Sequence, residues 1–338
     1  MSIRIAINGY GRIGRGLHRR LLETNDVEVV AINSGAAADS HAYLLKYDSI
    51  YGTINNKIVV EGSDLVIDGK KIAVYQIKDP AELDWGKHDV DVVIESTGKF
   101  TSMENAKKHL QAGAKKVLIT APCKDPEIEN VVMGVNHNVC STSGTCKVVS
   151  NASCTTNCLA PVVKVLNDEF GVKSSIANTM HAFTYTQNLL DNSNQEDFRR
   201  ARATTESIIP TTTGAMDAIG RVMPEMSGKI AGMAFRVPIP IVSCIYLVAN
   251  LEKKPSVEEI NEAFRKHEKG DLKGILATND EPLVSRDFLG NTNSAIVDTM
   301  STMTLPDGMT QIVAWYDNEW GYISRILDLI RWISVENK

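Results

Sequence analysis

Most features that mark a specialised class of protein are missing from this 338-residue chain. Its six cysteines (Cys123, Cys140, Cys146, Cys154, Cys158 and Cys244) are sparse and lack disulfide-framework spacing, which favours a reducing compartment. No Cys/His set has structural zinc spacing, so no metal is expected. No apolar run approaches the roughly 18 residues needed to cross a bilayer. The opening MSIRIAINGYGRIGRG enters a strand-like run at once, without the long apolar core of a secretory signal, so a cytoplasmic protein is expected. Net charge is only −5 and the Lys and Arg residues are dispersed, which argues against nucleic-acid or membrane partners and leaves anion binding to local sites. There is no internal repeat, low-complexity tract or flexible linker.

What is present is an ordinary globular balance, 43% hydrophobic and 23% charged, in a chain long enough that two domains are a better expectation than one. The first half alternates β-rich runs with helical patterns: Ile3–Asn8, a helix from Arg12 to about Thr24, Val27–Asn33, and a helical segment around His41–Tyr47. This βαβ order predicts a Rossmann-type, doubly wound parallel sheet. Residues 57–77 alternate instead and read as an inserted antiparallel meander, after which Val90–Ser96, Met103–Ala112 and Lys116–Thr120 resume the parallel pattern. From about residue 154, longer runs (Ser175–Met180, Gly232–Leu251, Ser294–Thr304) predict an α+β domain with a mostly antiparallel sheet. The amphipathic Tyr322–Val335 helix needs a partner and is expected to return to the first domain. The expected division is 1–153, completed by about 318–338, and 154–317.

Gly9-Tyr10-Gly11-Arg12-Ile13-Gly14 follows a strand and opens a helix, the context in which G-x-G-x-x-G binds a pyrophosphate at a helix N-terminus. Alone it could be a glycine turn kept for packing. The acidic residue expected about 20 positions later, for the adenosine ribose, is absent: the second strand ends Asn33-Ser34. A carboxylate there would repel a 2′-phosphate, so Ser34 followed by Gly35 and small alanines tilts the expected cofactor from NAD toward NADP, unless Asn33 or nearby backbone serves the ribose of NAD.

Ser153-Cys154-Thr155-Thr156-Asn157-Cys158 follows the strand Val148–Ser150 and precedes a helical pattern, which puts Cys154 where a helix dipole favours thiolate. His181 ends another strand and can serve as its base. A buried thiol and a satisfied core imidazole are the plain alternative for any such pair, and Cys158 is read as structural. Thr184, Arg199-Arg200-Ala201-Arg202, Thr211-Thr212-Thr213-Gly214 and Arg236 gather the donors a substrate phosphate needs, against the alternative of a solvated basic loop.

The motifs INGYGRIGR, LLKYDS, ESTG, KKVLITAP, SNASCTTNC, RRARA, ESIIPTTTGA, GMAFRVP, SAIVD and WYDNEWGY together resemble phosphorylating glyceraldehyde-3-phosphate dehydrogenase from end to end. The resemblance implies that Cys154 attacks the aldehyde of glyceraldehyde 3-phosphate, that His181 activates it, and that inorganic phosphate cleaves the thioester to 1,3-bisphosphoglycerate. It implies Thr184 and Arg236 for the substrate phosphate, and Ser153, Thr155, Arg200, Thr213 and Gly214 around the attacking phosphate. For the cofactor it implies Gly9, Gly11, Arg12, Ile13 and Gly14 at the pyrophosphate, with Asn33 and Ser34 at the adenosine ribose. Thr120 falls by the nicotinamide ribose, Asn318 at the carboxamide, and Lys78 near the adenine in place of the usual Arg. It further implies a homotetramer in which residues 183–206 reach toward a neighbour's cofactor site. Ser34 in place of the usual aspartate is a feature of relatives that run the reaction toward sugar synthesis. Ile241 and Tyr246 depart from the common Asn and Asp. The competing readings are an erythrose-4-phosphate dehydrogenase and a binding or adhesion protein without catalysis.

Overall fold

The computed structural model describes residues 2–140, 146–194 and 197–335. The chain divides into two compact units: residues 1–131 with 137–152 and 323–338, and residues 132–136 with 153–322. The returning C-terminal portion thus begins at Ile323 rather than 318, and the short segment 132–136 groups with the second unit.

In the first unit one sheet runs in the order Glu129–Asn130, Val148–Ser150, Lys116–Ile119, Val92–Glu95, Ile3–Asn8, Val27–Asn33, Lys70–Tyr75, Asp64–Ile67, Ile58–Glu61. Neighbours are parallel as far as Lys70–Tyr75 and antiparallel beyond it. The alternating stretch 57–77 is therefore no separate insertion: Lys70–Tyr75 joins the sheet beside Val27–Asn33. The first helix spans Arg12–Leu21 and the second Ala38–Lys46, one turn earlier than the apolar pattern suggests. Strand order reverses at Ile3–Asn8, since the chain goes first to one side of that strand and later to the other. Crevices at such a reversal, beyond the carboxyl ends of the strands, are where doubly wound sheets bind ligands. The helix Trp320–Val335 contributes Ile323, Ile326, Leu329 and Ile330 to the buried core. Ile323 packs so tightly on Gly16 that a Cβ there would lie 2.5 Å from its Cδ1.

The second unit has a mixed sheet ordered Ile209–Thr211, Ala234–Val237, Val172–Ala182, Ser243–Leu251, Met309–Tyr316, Ala295–Asp298, Leu276–Asn279. Four of these six pairings are antiparallel. The long run 232–251 is broken between Val237 and Ser243, where Pro238 and Pro240 cannot donate to a ladder. Likewise 294–304 is interrupted by a short 3₁₀ turn at Thr299–Ser301. The helices Cys154–Phe170 and Val257–Lys269 pack against one another, and the former also lies on the sheet. On the sheet's opposite face Ile176 is exposed and Tyr246 and Val248 are half-exposed. Among the described residues no helix is long and apolar enough to cross a membrane.

Candidate active site

The glycines of the first turn divide their labour. Gly9 sits at φ +96°, and a Cβ on it would lie 2.6 Å from the Thr97 nitrogen; a Cβ on Gly14 would lie 2.4 Å from the Gly9 carbonyl. Those two shape the turn and press helix onto strand. Gly11 is different, because no atom of the described residues lies within 4 Å of where its Cβ would be. Gly11 is also the N-cap of Arg12–Leu21, which has no side-chain cap and no acidic residue in its first turn. An uncapped positive helix end under open space is what a pyrophosphate requires. Gly11→Ala is therefore expected to leave the thermal midpoint of the ligand-free protein within about 2 °C while weakening dinucleotide affinity at least about tenfold. Gly14→Ala should lower both, and calorimetric melting with and without NAD separates the two cases.

Beneath this turn lies a buried polar chain that the sequence reading did not find. Asn8 Nδ2 donates to Glu95 Oε2 at 2.5 Å, His109 Nε2 lies 3.0 Å from the same oxygen, and Thr97 donates its backbone N–H to Oε1 at 2.8 Å. Trp85 Nε1 donates to His109 Nδ1 at 3.1 Å. An indole can only donate, so Nδ1 is the imidazole's acceptor and Nε2–H points to the carboxylate. Ser96 Oγ completes the scaffold by donating 2.6 Å to the Gly9 carbonyl. The only sequence signal was the ESTG block itself.

On the adenosine side the two candidates differ in their hydrogen bonding. Asn33 donates to Asn8 Oδ1 (2.7 Å) and to the Ile77 carbonyl (2.9 Å), and accepts from the Ile77 N–H (2.9 Å). Both of its N–H donors are committed and it is buried, so it ties two strand ends together and can offer a ribose only the second lone pair of Oδ1. Ser34 bonds through its backbone N–H to Tyr75, and its hydroxyl has no partner among the described residues. Arg12 pairs with Asp48 at 2.7 Å and lies over the Tyr51 ring, so it is Arg12 and Ile13 backbone, at the helix start, that face the turn. Thr120 donates its N–H to the Glu95 carbonyl, and Lys78 is exposed.

In the second unit Cys154 is the first residue of Cys154–Phe170, with Ser153 as N-cap accepting from the Thr156 N–H at 3.0 Å. Cys154 Sγ lies 3.5 Å from His181 Nε2 and keeps partial exposure. The N–H groups of Cys154 and Thr155 both face the sulfur, which favours thiolate and marks an oxyanion position. Burial opposes this and pushes the thiol pKa up, with Arg236 pulling it down. His181 is lowered to about 3, first by burial and then by Arg236. The ring is therefore a neutral base at pH 7, able to take the thiol proton within a pair whose net charge does not change.

Arg236 is the direct register partner of His181 on the parallel neighbouring strand. Its Nη1 lies 2.6 Å from His181 Nδ1 and 3.1 Å from the Ala182 carbonyl, while Nδ1 is itself 2.7 Å from that carbonyl. Nδ1 cannot both donate to the carbonyl and accept from the guanidinium, so this corner has two alternative hydrogen-bond states. Arg236 Nε is buried without a partner, an open donor for an anion.

Ala152, just before the N-cap, and Val242, just before Ser243, hold φ at +52° and +65°. Such backbone costs on the order of 1–3 kcal/mol each and clusters at functional sites. Ser243 Oγ accepts from the Ala182 N–H and donates to Asn318 Oδ1, both at 3.0 Å, fixing the Asn318 amide with its nitrogen side available. Tyr316, also missed from sequence, bridges Thr155 and Thr179 through its hydroxyl (3.1 and 2.9 Å) and sets its ring edge against His181.

The phosphate candidates are less uniform. Thr184 Oγ1 bonds to Gln187 and Thr186. Arg200 Nε bonds to Thr211 Oγ1 (2.9 Å) and pairs with Asp197 (3.2 Å), lining a cleft of about 500 Å³ with Arg199 and Thr212. Thr213 caps the Ala215 N–H, and Gly214 is the N-cap of Ala215–Val222. Residues 195 and 196 of the 183–206 segment lie outside the described residues. Cys158 is fully buried, and burial raises its thiol well above the ordinary range, as befits packing rather than chemistry. Ile241 is buried, and Tyr246 donates across the sheet to Gln311 at 2.5 Å. Among the described residues no cluster of three His, Cys, Asp or Glu could hold a metal.

Two sequence families match. One, described as glyceraldehyde 3-phosphate dehydrogenase, NAD binding domain, covers residues 3–103, and the other, the C-terminal domain of the same enzyme, covers 153–318. Glyceraldehyde-3-phosphate dehydrogenase of Geobacillus stearothermophilus is 51% identical over 334 residues, and that of Priestia megaterium 50% over 336, each covering 99% of both chains. Glyceraldehyde-3-phosphate dehydrogenase 1 of Bacillus subtilis is 49% identical over 334 residues, again 99% of both chains.

Proposed function

Because the chain belongs to the glyceraldehyde 3-phosphate dehydrogenase family, we propose that it oxidises glyceraldehyde 3-phosphate through a thioester on Cys154, using a nicotinamide dinucleotide and inorganic phosphate. The observation that carries this reading is Cys154 Sγ at a helix start, 3.5 Å from a neutral His181 that Arg236 adjoins.

Cys154 adds to the aldehyde carbon as His181 Nε2 takes the thiol proton, and the developing oxyanion is met by the N–H groups at the helix start. The imidazolium returns that proton to the oxyanion, giving the neutral hemithioacetal, and His181 Nε2 takes it back as the hydride leaves that carbon; a bound nicotinamide ring would supply the hydride acceptor. Inorganic phosphate attacks the thioester carbonyl, releasing 1,3-bisphosphoglycerate and the Cys154 sulfur. Arg236 and Thr184 bind the substrate phosphate, and Arg200, Thr213, Gly214, Ser153 and Thr155 surround the attacking one. The dinucleotide is held by Gly9, Gly11, Gly14 and the Arg12 and Ile13 backbone, with Thr120 and Lys78 alongside and Asn318 donating to the carboxamide.

NADP is the favoured form, because Ser34 presents an unbound hydroxyl where an acidic side chain would repel a 2′-phosphate. In Ser34→Asp the NADP/NAD ratio of kcat/KM is expected to fall at least about tenfold, the scale of one close like-charge contact. An unchanged ratio in steady-state kinetics would remove Ser34 from selectivity. The assembly is a homotetramer: Tyr185, Leu190, Phe198 and Ile208 are exposed large apolar groups in one stretch, the kind of surface that a subunit contact covers. Sedimentation at micromolar concentration should give about four times the chain mass, and a monomer there would contradict it.

A further inference from the structure

Tyr10 stands between Gly9 and Gly11 in the pyrophosphate turn, yet its side chain is 2% exposed. Three contacts hold the residue. Its hydroxyl meets His18 Nδ1 at 2.5 Å, its carbonyl accepts from Arg15 Nη1 at 2.7 Å, and its ring lies edge-on to His41, centroids 5.1 Å apart. His18 lies two turns into Arg12–Leu21, and helical side chains lean toward the N-terminus, which lets it reach back to the turn. Burial keeps the His18 ring neutral at pH 7, with a pKa of about 3, and burial also keeps the Tyr10 phenol protonated. Between two neutral groups the contact is one hydrogen bond in a dry site, where removing either partner strands the other. The residue before an N-cap commonly packs onto its helix through apolar contact alone. A polar pair in that place carries a desolvation cost that two apolar rings would not, and it calls for a reason.

The reason lies in the backbone. The N–H groups of Tyr10 and Gly11 have no partner among the described residues. They belong to the two rigid peptide planes that flank the Tyr10 Cα, so the setting of Tyr10 decides where both donors point. Arg15 holds the Tyr10 carbonyl, and the Gly11 N–H, on the same trans plane, is thereby turned the opposite way. Gly9, at φ +96°, and Gly11 have no Cβ to restrict rotation, which leaves the Tyr10 side chain to do so.

We propose that His18 is a positioning residue for the cofactor: by holding the Tyr10 hydroxyl it fixes the two backbone donors that receive the pyrophosphate. This rests on the reading of the turn as a dinucleotide site. Without the bond the turn samples other settings, and apparent affinity falls by the fraction of molecules still correctly set. A ligand with no pyrophosphate does not feel the change.

The test is isothermal titration of the full chain with NAD, ADP-ribose and adenosine, in the unaltered protein, His18→Phe, Tyr10→Phe and the variant carrying both substitutions. In His18→Phe the affinities for NAD and ADP-ribose should each fall about fivefold, as when one molecule in five is correctly set, while that for adenosine changes by less than about twofold. Tyr10→Phe breaks the same bond from the other side and should show the same selective loss. The doubly substituted protein should lose no more than either single variant, since one bond is lost in all three. Unchanged NAD and ADP-ribose affinity in a folded single variant, an equal loss for adenosine, or losses that multiply when the substitutions are combined each overturn the role of His18 and leave the dinucleotide reading standing. An unaltered protein that binds neither NAD nor ADP-ribose overturns both. If His18→Phe does not fold, Tyr10→Phe decides the matter by the same outcomes.

Discussion

Replacing Cys154 with serine is expected to lower kcat by at least about 10⁴-fold with glyceraldehyde 3-phosphate, phosphate and dinucleotide, since loss of a nucleophile that works with a base disables the pair as a unit. The hydroxyl is a far weaker nucleophile than a thiolate, and His181 3.5 Å away cannot make up that difference. Dinucleotide affinity should change by less than about twofold, because the glycine turn belongs to the other compact unit. Ser also keeps the small polar side chain at the helix start, so the melting temperature should hold. Turnover above about 1% of the original, with correct folding verified by circular dichroism, would take Cys154 out of the chemistry.

His181→Asn should cost about 10²–10⁴-fold in kcat, the usual contribution of a positioned general base. Alkylation of Cys154 at pH 7 should slow, and its pH midpoint should move upward, because burial still penalises the thiolate and the group that accepts its proton is gone. The acid side provides a second readout. The folded His181 is lowered to about 3 while an unfolded histidine titrates near 6.5, so the stability of its neutral ring is complete above about pH 6.5. It is lost as pH falls from there toward 3, at up to about 1.4 kcal/mol per pH unit. His18, also held near 3 by burial, adds a loss of the same sign that the variant retains. Urea midpoints at pH 7 and pH 4 should therefore draw closer together in His181→Asn than in the parent. An unaltered alkylation profile together with an unaltered acid slope would mean that His181 neither activates the sulfur nor titrates as described.

What could be read from sequence was local. Gly9, Gly11 and Gly14 announce themselves because strand, turn and helix are contiguous, and Cys154 does so because Ser153 and the following apolar pattern mark a helix start. The meeting of His181 and Arg236 is fixed by a parallel register between strands 55 residues apart, which no window of sequence contains. The pairing of Asn33 with Ile77, 44 residues on, depends in the same way on the fold. The break at 238–242 was legible in Pro238 and Pro240, whereas the turn at Thr299–Ser301 carries no Gly or Pro to mark it, and Val242 holds a left-handed backbone that its residue type disfavours. The Glu95 chain was invisible for a different reason: buried polar residues carry no periodicity, and their meaning lies only in their partners.

That buried chain from Trp85 through His109, Glu95 and Asn8 to Asn33 leaves Ser34 just outside it. In the proposed reading Ser34 selects the cofactor, and its side chain takes no part in the hydrogen-bonded chain beside it. On that reading a replacement at Ser34 changes the cofactor preference while the five-residue keel stays as it is. A change within the keel has no such freedom, since each member satisfies its neighbour and any single replacement strands a buried donor or acceptor.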